Sequence, residues 1–586
     1  MLKILKRLKA AEWLQALVSL VFIVAQVWLD LKLPDYMSEI TRLTQTSGSE
    51  MADIWTAGGK MLLCALGSLI SSVIVGFFAA RIAASFSQRL RSQLFSKVDS
   101  FSMEEINRFS TASLITRSTN DITQVQMLIT MGLQMMIKAP IMAVWAITKI
   151  AGKGFEWSFA TGVAVAILLT MIILIMLFVM PKFKKMQTLT DNLNRVMREK
   201  LTGLRVIRAF NAEGYQEEKF EKANEELTST QLYTNRGMAI MSPMMSTLMS
   251  GMSLAIYWIG AYLIDGADAR DRLTLFSNMV IFSSYSVQVI MSFMMLIMIF
   301  VLWPRASVSA KRINEVLETE PTILDGHLTD GKTGMTGEIE FRNVSFQYPG
   351  SSDYVLQDIS FTVKKGETVA FIGSTGSGKS TLINLVPRFY DTTEGEILID
   401  GVNVKEYEQE FLHNKIGYVS QKAVMFRGTV ASNVGYGDNG ASEPNIGDIK
   451  NAVRIAQGTD FVEKMERQYD SEISQGGTNI SGGQKQRLAI ARAVCRKPEF
   501  YIFDDSFSAL DYKTDRILRS VLKKETAGVT SLIVAQRIGT IMDADQIIVM
   551  DEGRMVGKGT HKELLKTCDI YLEIAMSQLS EEELIS

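Results

Sequence analysis

The sequence has few of the residues that build disulfide frameworks and metal sites. Only three cysteines and three histidines occur among its 586 residues. Cys64, Cys495 and Cys568 form no Cys-x-x-Cys pair, which argues against a disulfide scaffold and against a thiolate metal site. The histidines lie far apart and lack the spacing of a zinc site on one helix. The sequence therefore predicts reducing surroundings for the polar part of the chain, and no metal beyond an ion that arrives with a ligand.

An excess of one charge sign is also missing. Sixty-one Lys+Arg stand against 63 Asp+Glu, a formal net charge of −2, so the total gives no indication of a nucleic-acid partner. Apolar sequence is abundant instead, at 47% hydrophobic residues and a mean hydropathy of +0.13. The chain is too long for one core, so these values predict several domains with membrane-spanning segments among them.

Six long runs in the first half of the sequence are almost free of charged side chains. The run at residues 157–180 has none, and as a helix it would extend roughly 36 Å, enough to cross a hydrocarbon core of about 30 Å. A soluble core would not need six such runs, since core helices normally keep a polar stripe. We expect six membrane-spanning helices, at residues 13–29, 61–80, 125–148, 157–180, 237–264 and 273–304.

Basic residues flank the first and the fourth of these runs. By the positive-inside pattern they place the N-terminus in the cytoplasm. The loops 81–124 and 181–236 are long, charged and helical in pattern, so the helices are expected to continue into the cytoplasm, where 216–227 suits either a solvated or a docking helix. The basic residues are Lys3, Lys6, Arg7 and Lys9 before the first run, and Lys182, Lys184 and Lys185 after the fourth.

After residue 304 the pattern changes to short β-branched runs separated by glycines and polar turns, which is typical of an α/β domain. We expect an all-α transmembrane domain of six helices at residues 1–304, a linker at 305–335, and an α/β nucleotide-binding domain at 336–586.

A phosphate-binding loop lies in the second domain. The segment from Gly373 to Ser380 fits G-x-x-x-x-G-K-[ST] and stands between a strand-like run and a helix-like run. Its backbone N–H groups would face phosphate oxygens, Lys379 would supply positive charge, and Ser380 would offer a hydroxyl to Mg²⁺. The predicted ATP-binding residues here are Gly373, Ser374, Thr375, Gly376, Ser377, Gly378, Lys379, Ser380 and Thr381.

Two further motifs follow the loop. A hydrophobic strand ends at Asp504, whose carboxylate is expected to hold Mg²⁺ together with Ser380. Before it, a glycine-rich turn leads into a helical run and could bind an anion, although taken alone it also suits an ordinary loop. This turn consists of Ser481, Gly482, Gly483 and Gln484.

The order of the Lys379 loop, Gln421, the Ser481 turn, Asp504 and the turn ending at Asp511 resembles the ATP-binding-cassette (ABC) transporters. Six spans before one nucleotide domain resemble the exporter class with one half-transporter per chain. The resemblance implies that two nucleotide domains sandwich two ATP molecules, each held by the loop of one chain and the signature turn of the other. It also implies that Tyr348 stacks on adenine, that Gln421 reaches Mg²⁺, and that Asp511 communicates across the dimer.

Two positions depart from the family pattern. The residue after the Mg²⁺ aspartate is usually glutamate, which positions the attacking water, and here it is the shorter Asp505. The switch histidine is replaced by Gln536, whose amide cannot carry a titrating proton or a positive charge. Each change alone could be tolerated, but both fall in one site. They resemble the degenerate-site subunit of heterodimeric bacterial multidrug exporters, in which the intact signature turn would complete the competent site of a second, different chain.

The motifs do not identify the transported compound. Methionines are dense in the fifth and sixth spans, and Met245, Met249, Met291 and Met295 could line a cavity for varied apolar ligands or simply fill the core. Lys138 lies in the third span, where a charge normally faces a wet cavity or a partner group. It could also snorkel, or pair with the second chain.

The predicted function is ATP-driven export of amphipathic or hydrophobic compounds across a cell membrane, with ATP and Mg²⁺ as ligands. The predicted partners are the second half-transporter and the bilayer. The turn at residues 211–217 is a candidate docking element for the partner's nucleotide domain. An ATP-gated channel or transport regulator, and a lipid or peptide exporter, remain as alternatives.

Overall fold

The computed structural model describes residues 2–46, 49–151, 154–268, 271–440 and 443–579. The chain divides into two compact units. The first comprises Met1–Asp99 and Ala112–Thr319, and the second comprises Ser100–Thr111 and Glu320–Ser586. A short segment from the N-terminal half thus belongs to the C-terminal unit.

The first unit is helical. Within the described residues, six helical stretches are long and apolar enough to cross a membrane, which confirms the six expected spans. They are Ala10–Gln45, Met51–Asp99, Thr111–Ile150, Phe155–Thr202, Glu213–Asp265 and Arg272–Leu296. The helices are α1 (Leu2–Leu5), α2 (Ala10–Gln45), α3 (Met51–Asp99), α4 (Met103–Phe109), α5 (Thr111–Thr116), α6 (Ile122–Met131), α7 (Lys138–Ile150), α8 (Phe155–Phe178), α9 (Met180–Thr202), α10 (Leu204–Ala209), α11 (Glu213–Ala239), α12 (Met241–Asp265) and α13 (Arg272–Glu318).

The third span is not a uniform α-helix. Two π-helical turns, Arg117–Asp121 and Gly132–Met136, interrupt it on either side of α6. Pro140, in the first turn of α7, has no backbone N–H to donate to Met136, so the regular hydrogen-bond ladder breaks there. The break positions Lys138 as the first residue of α7.

The last helix of the first unit runs further than expected. α13 continues from the sixth span to Glu318, through the first part of the segment 305–335 that was expected to be a linker. Ala306, Ala310, Ile313 and Val316 are all buried along it. This spacing is that of one helical face, so packing holds the segment in a helix.

The described part of the second unit contains three sheets with helices around them. The strands are β1 (Ile339–Phe346), β2 (Leu356–Val363), β3 (Thr368–Gly373), β4 (Glu394–Ile399), β5 (Val402–Asn403), β6 (Ile416–Val419), β7 (Gly428–Thr429), β8 (Glu472–Ile473), β9 (Phe500–Asp504), β10 (Thr530–Val534), β11 (Gln546–Asp551) and β12 (Arg554–Gly559). The helices are α14 (Lys379–Leu385), α15 (Gln409–Asn414), α16 (Val430–Val434), α17 (Ile446–Ile455), α18 (Thr459–Val462), α19 (Gly482–Cys495), α20 (Tyr512–Glu525), α21 (Ile538–Ile541), α22 (His561–Thr567) and α23 (Asp569–Met576). The α-helical first unit and α/β second unit confirm the predicted fold class.

The largest sheet determines where the site lies. Its strand order is β12-β11-β3-β10-β9-β6, and β11, β3, β10, β9 and β6 are parallel. In this register Val534 at the end of β10 lies opposite Asp504 at the end of β9. The segments that follow β3, β9 and β10 therefore leave the sheet at one edge, as expected for a parallel sheet that binds ligands at its carboxyl end.

Candidate functional site

The loop between β3 and α14 can be built only with glycine at two positions. Gly373 and Gly378 have φ values of +151° and +93°. A Cβ on Gly373 would lie 1.9 Å from the Met550 carbonyl oxygen, and one on Gly378 would lie 2.7 Å from Leu356 Cδ2. The backbone therefore turns tightly against its neighbours at both places, and α14 begins directly after Gly378.

Lys379 lies inside this loop. Its Nζ donates to the carbonyl oxygens of Gly373 (2.9 Å) and Ser374 (2.6 Å) and to Ser377 Oγ (3.1 Å). Burial lowers the pKa of the Lys379 ammonium, and the nearby carboxyls of Asp505 and Asp504 oppose this effect. The loop thus concentrates a partly desolvated positive charge at its mouth, which is the chemistry that phosphate binding requires. Ser374, Thr375, Gly376 and Ser377 form the turn itself.

Ser380 and Asp504 meet across the site. Ser380 Oγ donates to Asp504 Oδ1 over 2.7 Å. Burial raises the pKa of Asp504, the nearby Asp505 carboxyl raises it further, and the Ser380 hydrogen bond and Lys379 oppose the rise. A hydroxyl and a carboxylate are the hard oxygen ligands that Mg²⁺ prefers, so these residues fit the ion and would hold it beside the phosphates, where it would neutralise charge.

Asp505 adopts a strained backbone conformation next to Asp504. Its φ is +45°, and its backbone N–H donates to the Val534 carbonyl oxygen over 3.0 Å. Its Oδ2 accepts a hydrogen bond of 2.8 Å from Gln536 Nε2, and Gln421 lies close enough to lower the pKa of its carboxyl. Burial raises the pKa of Asp505, and the side chains of Ser508 and Gln421 oppose the rise. The structure thus brings together both unusual positions and Gln421.

Tyr348 lies beside the loop. Its hydroxyl is 3.0 Å from Thr381 Oγ1, within hydrogen-bond distance. Its ring meets the Tyr390 ring edge to face, at 5.3 Å between centroids, and packs against Phe346 at 4.9 Å. These contacts fix an aromatic ring next to the phosphate-binding loop, as adenine stacking would require.

Sequence reasoning missed Tyr390 and the segment that it contacts. Tyr390 Oη accepts a hydrogen bond of 3.0 Å from Asn107 Nδ2 on α4, and both residues belong to the second unit. α4 is capped by Ser102, and the buried Glu105 accepts from Ser102 N–H (2.8 Å) and Thr322 N–H (3.0 Å). The Ser-x-x-Glu pattern of Ser102 and Glu105 is a capping box, and it could have predicted the start of α4 from the sequence.

The signature turn forms the N-terminus of α19. Ser481 Oγ accepts from Gln484 N–H at 3.3 Å, and Gln484 Oε1 accepts from Ser481 N–H at 2.9 Å. Ser481 and Gly482 are exposed, and a Cβ on Gly482 would meet no atom within 4 Å. A Cβ on Gly483 would lie 3.3 Å from the Ala509 carbonyl oxygen. The turn therefore leaves the start of a helix exposed.

Asp511 has a capping role at the next turn. It is exposed and accepts a hydrogen bond of 3.0 Å from Thr514 N–H at the start of α20. Hydrogen bonds from Thr514 lower the pKa of the Asp511 carboxyl.

Lys138 forms an ion pair within its own chain. Its Nζ lies 3.0 Å from Asp30 Oδ2 on α2, and both side chains are largely buried. Ser68 on α3 also donates to Asp30. The sequence left open a wet cavity, a partner group, snorkelling or a pair with the second chain for Lys138, and the structure shows a partner group in the same chain, the Asp30 carboxylate.

The four candidate methionines occupy different surroundings. Met245 is buried and Met249 packs against the helical core, whereas Met291 is exposed and Met295 is half-buried. An apolar groove of about 640 Å³ lies between α8 and α12 and is lined by two other methionines of α12, Met244 and Met252. A cavity role for the four stays a prediction. The candidate docking turn 211–217 comprises the end of the connection after α10 and the first residues of α11, in the first unit.

Comparison with known proteins agrees with this architecture. A family model described as the ABC transporter transmembrane region matches residues 13–293, and one described as ABC transporter matches residues 356–508. An uncharacterized ABC transporter ATP-binding protein of Mycobacterium tuberculosis is 40% identical over 523 residues, covering 89% of this chain and 87% of that protein. An ATP-dependent lipid A-core flippase of Pseudomonas fluorescens is 33% identical over 518 residues, covering 88% of this chain and 84% of the flippase.

Among solved structures, a bacterial Atm1-family ABC exporter with ATP bound matches with a TM-score of 0.74 at 24% identity. The match covers 98% of this chain and 99% of the exporter chain, and it shows a shared fold. With six apolar helices in the described part of the chain and a nucleotide-binding unit on the same polypeptide, the chain belongs to the ABC transporter family and has the fold of an exporter half-transporter.

Proposed function

We propose that this half-transporter works as one subunit of a heterodimeric, ATP-driven exporter and that its own ATP site turns over slowly. The observation that carries the proposal is the hydrogen bond between Gln536 and Asp505. The two residues that replace the family's glutamate and histidine bind each other at the edge of the sheet. A carboxylate one methylene short and an amide without a titrating proton leave the site poorly equipped to activate water.

The nucleotide-binding parts of the site support retention of ATP. Lys379 brings its ammonium into the glycine loop, Ser380 and Asp504 supply oxygen ligands for Mg²⁺, and Tyr348 offers a ring for adenine. None of these groups needs the family's glutamate or histidine. We therefore expect binding without fast turnover at this chain's own loop.

The signature turn supports the second half of the proposal. Ser481 and Gly482 are exposed at the N-terminus of α19, with their capping hydrogen bonds formed inside the turn. The turn is thus available to an ATP molecule held by the Lys379-type loop of another chain. A partner with an intact glutamate and histidine would then hydrolyse ATP at the shared site, while both chains together form the transport pathway.

The membrane arrangement is part of the same proposal. We place the N-terminus and the nucleotide-binding domain, residues 336–586, in the cytoplasm of a cell membrane, with the transmembrane domain at 1–304 and a connection at 305–335. Basic residues before the first span support this orientation. The turn at residues 211–217 would dock on the partner's nucleotide domain.

Two substrate classes follow from different observations. The apolar groove between α8 and α12, with its flexible methionines, favours amphipathic or hydrophobic compounds of the multidrug type. The similarity to a protein named as a lipid A-core flippase favours a lipid. Molecules of both classes have apolar parts that would reach such a groove from the bilayer.

The test is nucleotide binding and phosphate release by the purified full-length chain in lipid nanodiscs. We expect AMP-PNP binding that Lys379→Ala abolishes, together with little phosphate release. Lys364→Ala, at an exposed lysine of the same unit, is the matched control and should bind as the unmodified chain does. Fast phosphate release that disappears in Lys379→Ala would overturn the proposal of a slow site.

A further inference from the structure

The connection between β10 and α21, residues 535–537, carries Gln536 and is called the switch connection below. A residue near the C-terminal end of the described chain holds it in place. Gln578, two residues beyond α23, donates from Nε2 to the Gln536 carbonyl oxygen over 2.9 Å. Its Oε1 accepts from Ile538 N–H over 2.8 Å. One side-chain amide therefore bridges the backbone on both sides of Arg537.

These two hydrogen bonds fall where the local backbone lacks regular partners. β10 ends at Val534 and α21 begins at Ile538, so Gln536 lies in the short connection between them. The Ile538 N–H is at the first position of a helix, where no intrahelical acceptor exists. The Gln578 amide satisfies this donor and the Gln536 carbonyl at once, which ties the course of the connection to one side chain.

The helix before Gln578 is a fixed support. Tyr571 and Ala575 on α23 are fully buried, and they share a hydrophobic cluster with Ile538 and Ile541 of α21. His561 Nδ1 lies 2.7 Å from Tyr571 Oη, which ties α23 to α22. The end of α23 is therefore positioned by the same hydrophobic cluster that positions α21.

On the other side, the switch faces the nucleotide site. The Gln536 side chain donates to Asp505, which follows the Mg²⁺ aspartate Asp504. A continuous path of hydrogen bonds thus runs from Gln578 through the Gln536 backbone and amide to Asp505. Any shift of the Gln536 backbone would move its amide relative to the carboxylate and to the position of a terminal phosphate.

We propose that Gln578 is a positioning residue that holds the switch connection so that the Gln536 amide faces the γ-phosphate of bound ATP. This inference rests on the proposed nucleotide site. It predicts different effects on the binding of ATP and of ADP. ADP would be bound by the glycine loop and Tyr348 alone, whereas a γ-phosphate would also use the switch. Gln578 should then influence discrimination between the two nucleotides and leave ADP binding unchanged.

The test compares AMP-PNP and ADP affinities of the full-length chain in nanodiscs, by displacement of a fluorescent nucleotide. In Gln578→Ala we expect the preference for AMP-PNP over ADP to fall about two- to tenfold, the range that the net free energy of one ordinary hydrogen bond gives, with unchanged ADP affinity. Gln578→Glu keeps an acceptor for Ile538 N–H but replaces the donor by a carboxylate oxygen, which repels the Gln536 carbonyl oxygen. This variant should therefore resemble Gln578→Ala. Gln578→Asn keeps both groups on a shorter side chain and should recover part of the preference.

Ser577→Ala is the matched control, because the Ser577 hydroxyl donates to the Ile574 carbonyl oxygen at the end of α23 and, among residues 2–579 as described, has no bond to the switch connection. It should leave the preference unchanged. Equal losses of AMP-PNP and ADP affinity in Gln578→Ala, or no change in their ratio, would overturn the inference. Because AMP-PNP is not hydrolysed, this outcome is separate from the rate of phosphate release, which decides the proposed function.

Discussion

Gln536 and Asp505, 31 positions apart in the sequence, are joined by a hydrogen bond of 2.8 Å from Nε2 to Oδ2. The pairing explains why the two departures from the family pattern belong together. An amide can donate to a carboxylate without a charge, and the shorter aspartate leaves room for that contact beside Gln421. The bond occupies one carboxylate oxygen of Asp505.

Restoring both family residues should restore hydrolysis. The double variant Asp505→Glu with Gln536→His places a longer carboxylate and a titratable imidazole in the site. A positioned base contributes about 10²–10⁴-fold to such reactions, so we expect phosphate release to rise by about 100-fold or more. The measurement is phosphate release from self-paired chains in nanodiscs, whose signature turns are intact.

Each single variant serves as a control for this double variant, and each should gain less than the pair. Adding Lys379→Ala should remove the gain. If chains shown to be dimeric by light scattering release phosphate no faster after both substitutions, the missing groups are not the cause of slow turnover.

The ion pair between Asp30 and Lys138 should show up in stability. Lys138→Met leaves the Asp30 carboxylate among spans α2, α3 and α7 with Ser68 as its remaining side-chain donor. Loss of one partner of a largely buried pair should cost about 1–3 kcal/mol. We expect a lower thermal unfolding temperature of the detergent-solubilised chain, followed by static light scattering.

The double variant Asp30→Asn with Lys138→Met removes both charges and should recover much of that loss. Lys60→Met, at an exposed lysine of α3, is the control and should be neutral. Additive effects of the two ion-pair substitutions would contradict an interaction between them.

The contact between Tyr390 and α4 should affect local opening. Tyr390→Phe keeps the ring against Tyr348 but removes the hydroxyl that accepts from Asn107. Loss of one hydrogen bond should increase amide exchange in Met103–Phe109 by about two- to tenfold, as read by hydrogen–deuterium exchange mass spectrometry. Tyr354→Phe, which removes a hydroxyl bonded to Glu394 instead, should leave this segment unchanged.

Glu105 should make the docking of α4 depend on pH. Burial alone raises the pKa of its carboxyl, but hydrogen bonds from Ser102 and Thr322 outweigh it and hold the pKa below the ordinary 4.5. A carboxyl with a lowered folded-state pKa stabilises the fold above its unfolded pKa, and this contribution is lost as the pH falls through the lowered value. Exchange in Met103–Phe109 should therefore be slow at neutral pH and rise below about pH 4.5, after correction for the intrinsic rate.

Glu105→Gln provides the control for this titration. It should show raised exchange already at neutral pH and a much weaker dependence below it. An unchanged pH response in Glu105→Gln would assign the titration to other groups.

Composition and motifs predicted the large features of the molecule because each rests on local sequence. Runs almost free of charge predicted the six spans, and the glycine loop with Asp504 predicted a nucleotide site whose residues Ser380 and Asp504 lie together in the structure. The extension of α13 also had a signal, since Ala306, Ala310 and Ile313 recur at helical spacing. Polar residues lie between these positions, and for this reason the sequence indicated a linker and not a continuation of the helix.

Other relationships could not be predicted from one sequence. Asn107 and Tyr390 are 283 positions apart, and Asp30 and Lys138 are 108 positions apart. No periodicity links such pairs, because only the folded chain brings them together. The same holds for Gln578, which stands in a polar stretch without any motif and acquires its partners from the position of α23 against α21.

The position of Thr322 has a consequence for how this protein is made. Glu105 leaves the ribosome 217 residues ahead of the backbone amide that completes its hydrogen bonding. During translation, the loop after the second span therefore carries a carboxylate that cannot yet be buried without loss, until all six spans described above have been synthesised. Maturation of α4 is thus a late event in biogenesis, and a nascent chain arrested before residue 320 would expose this segment to proteases.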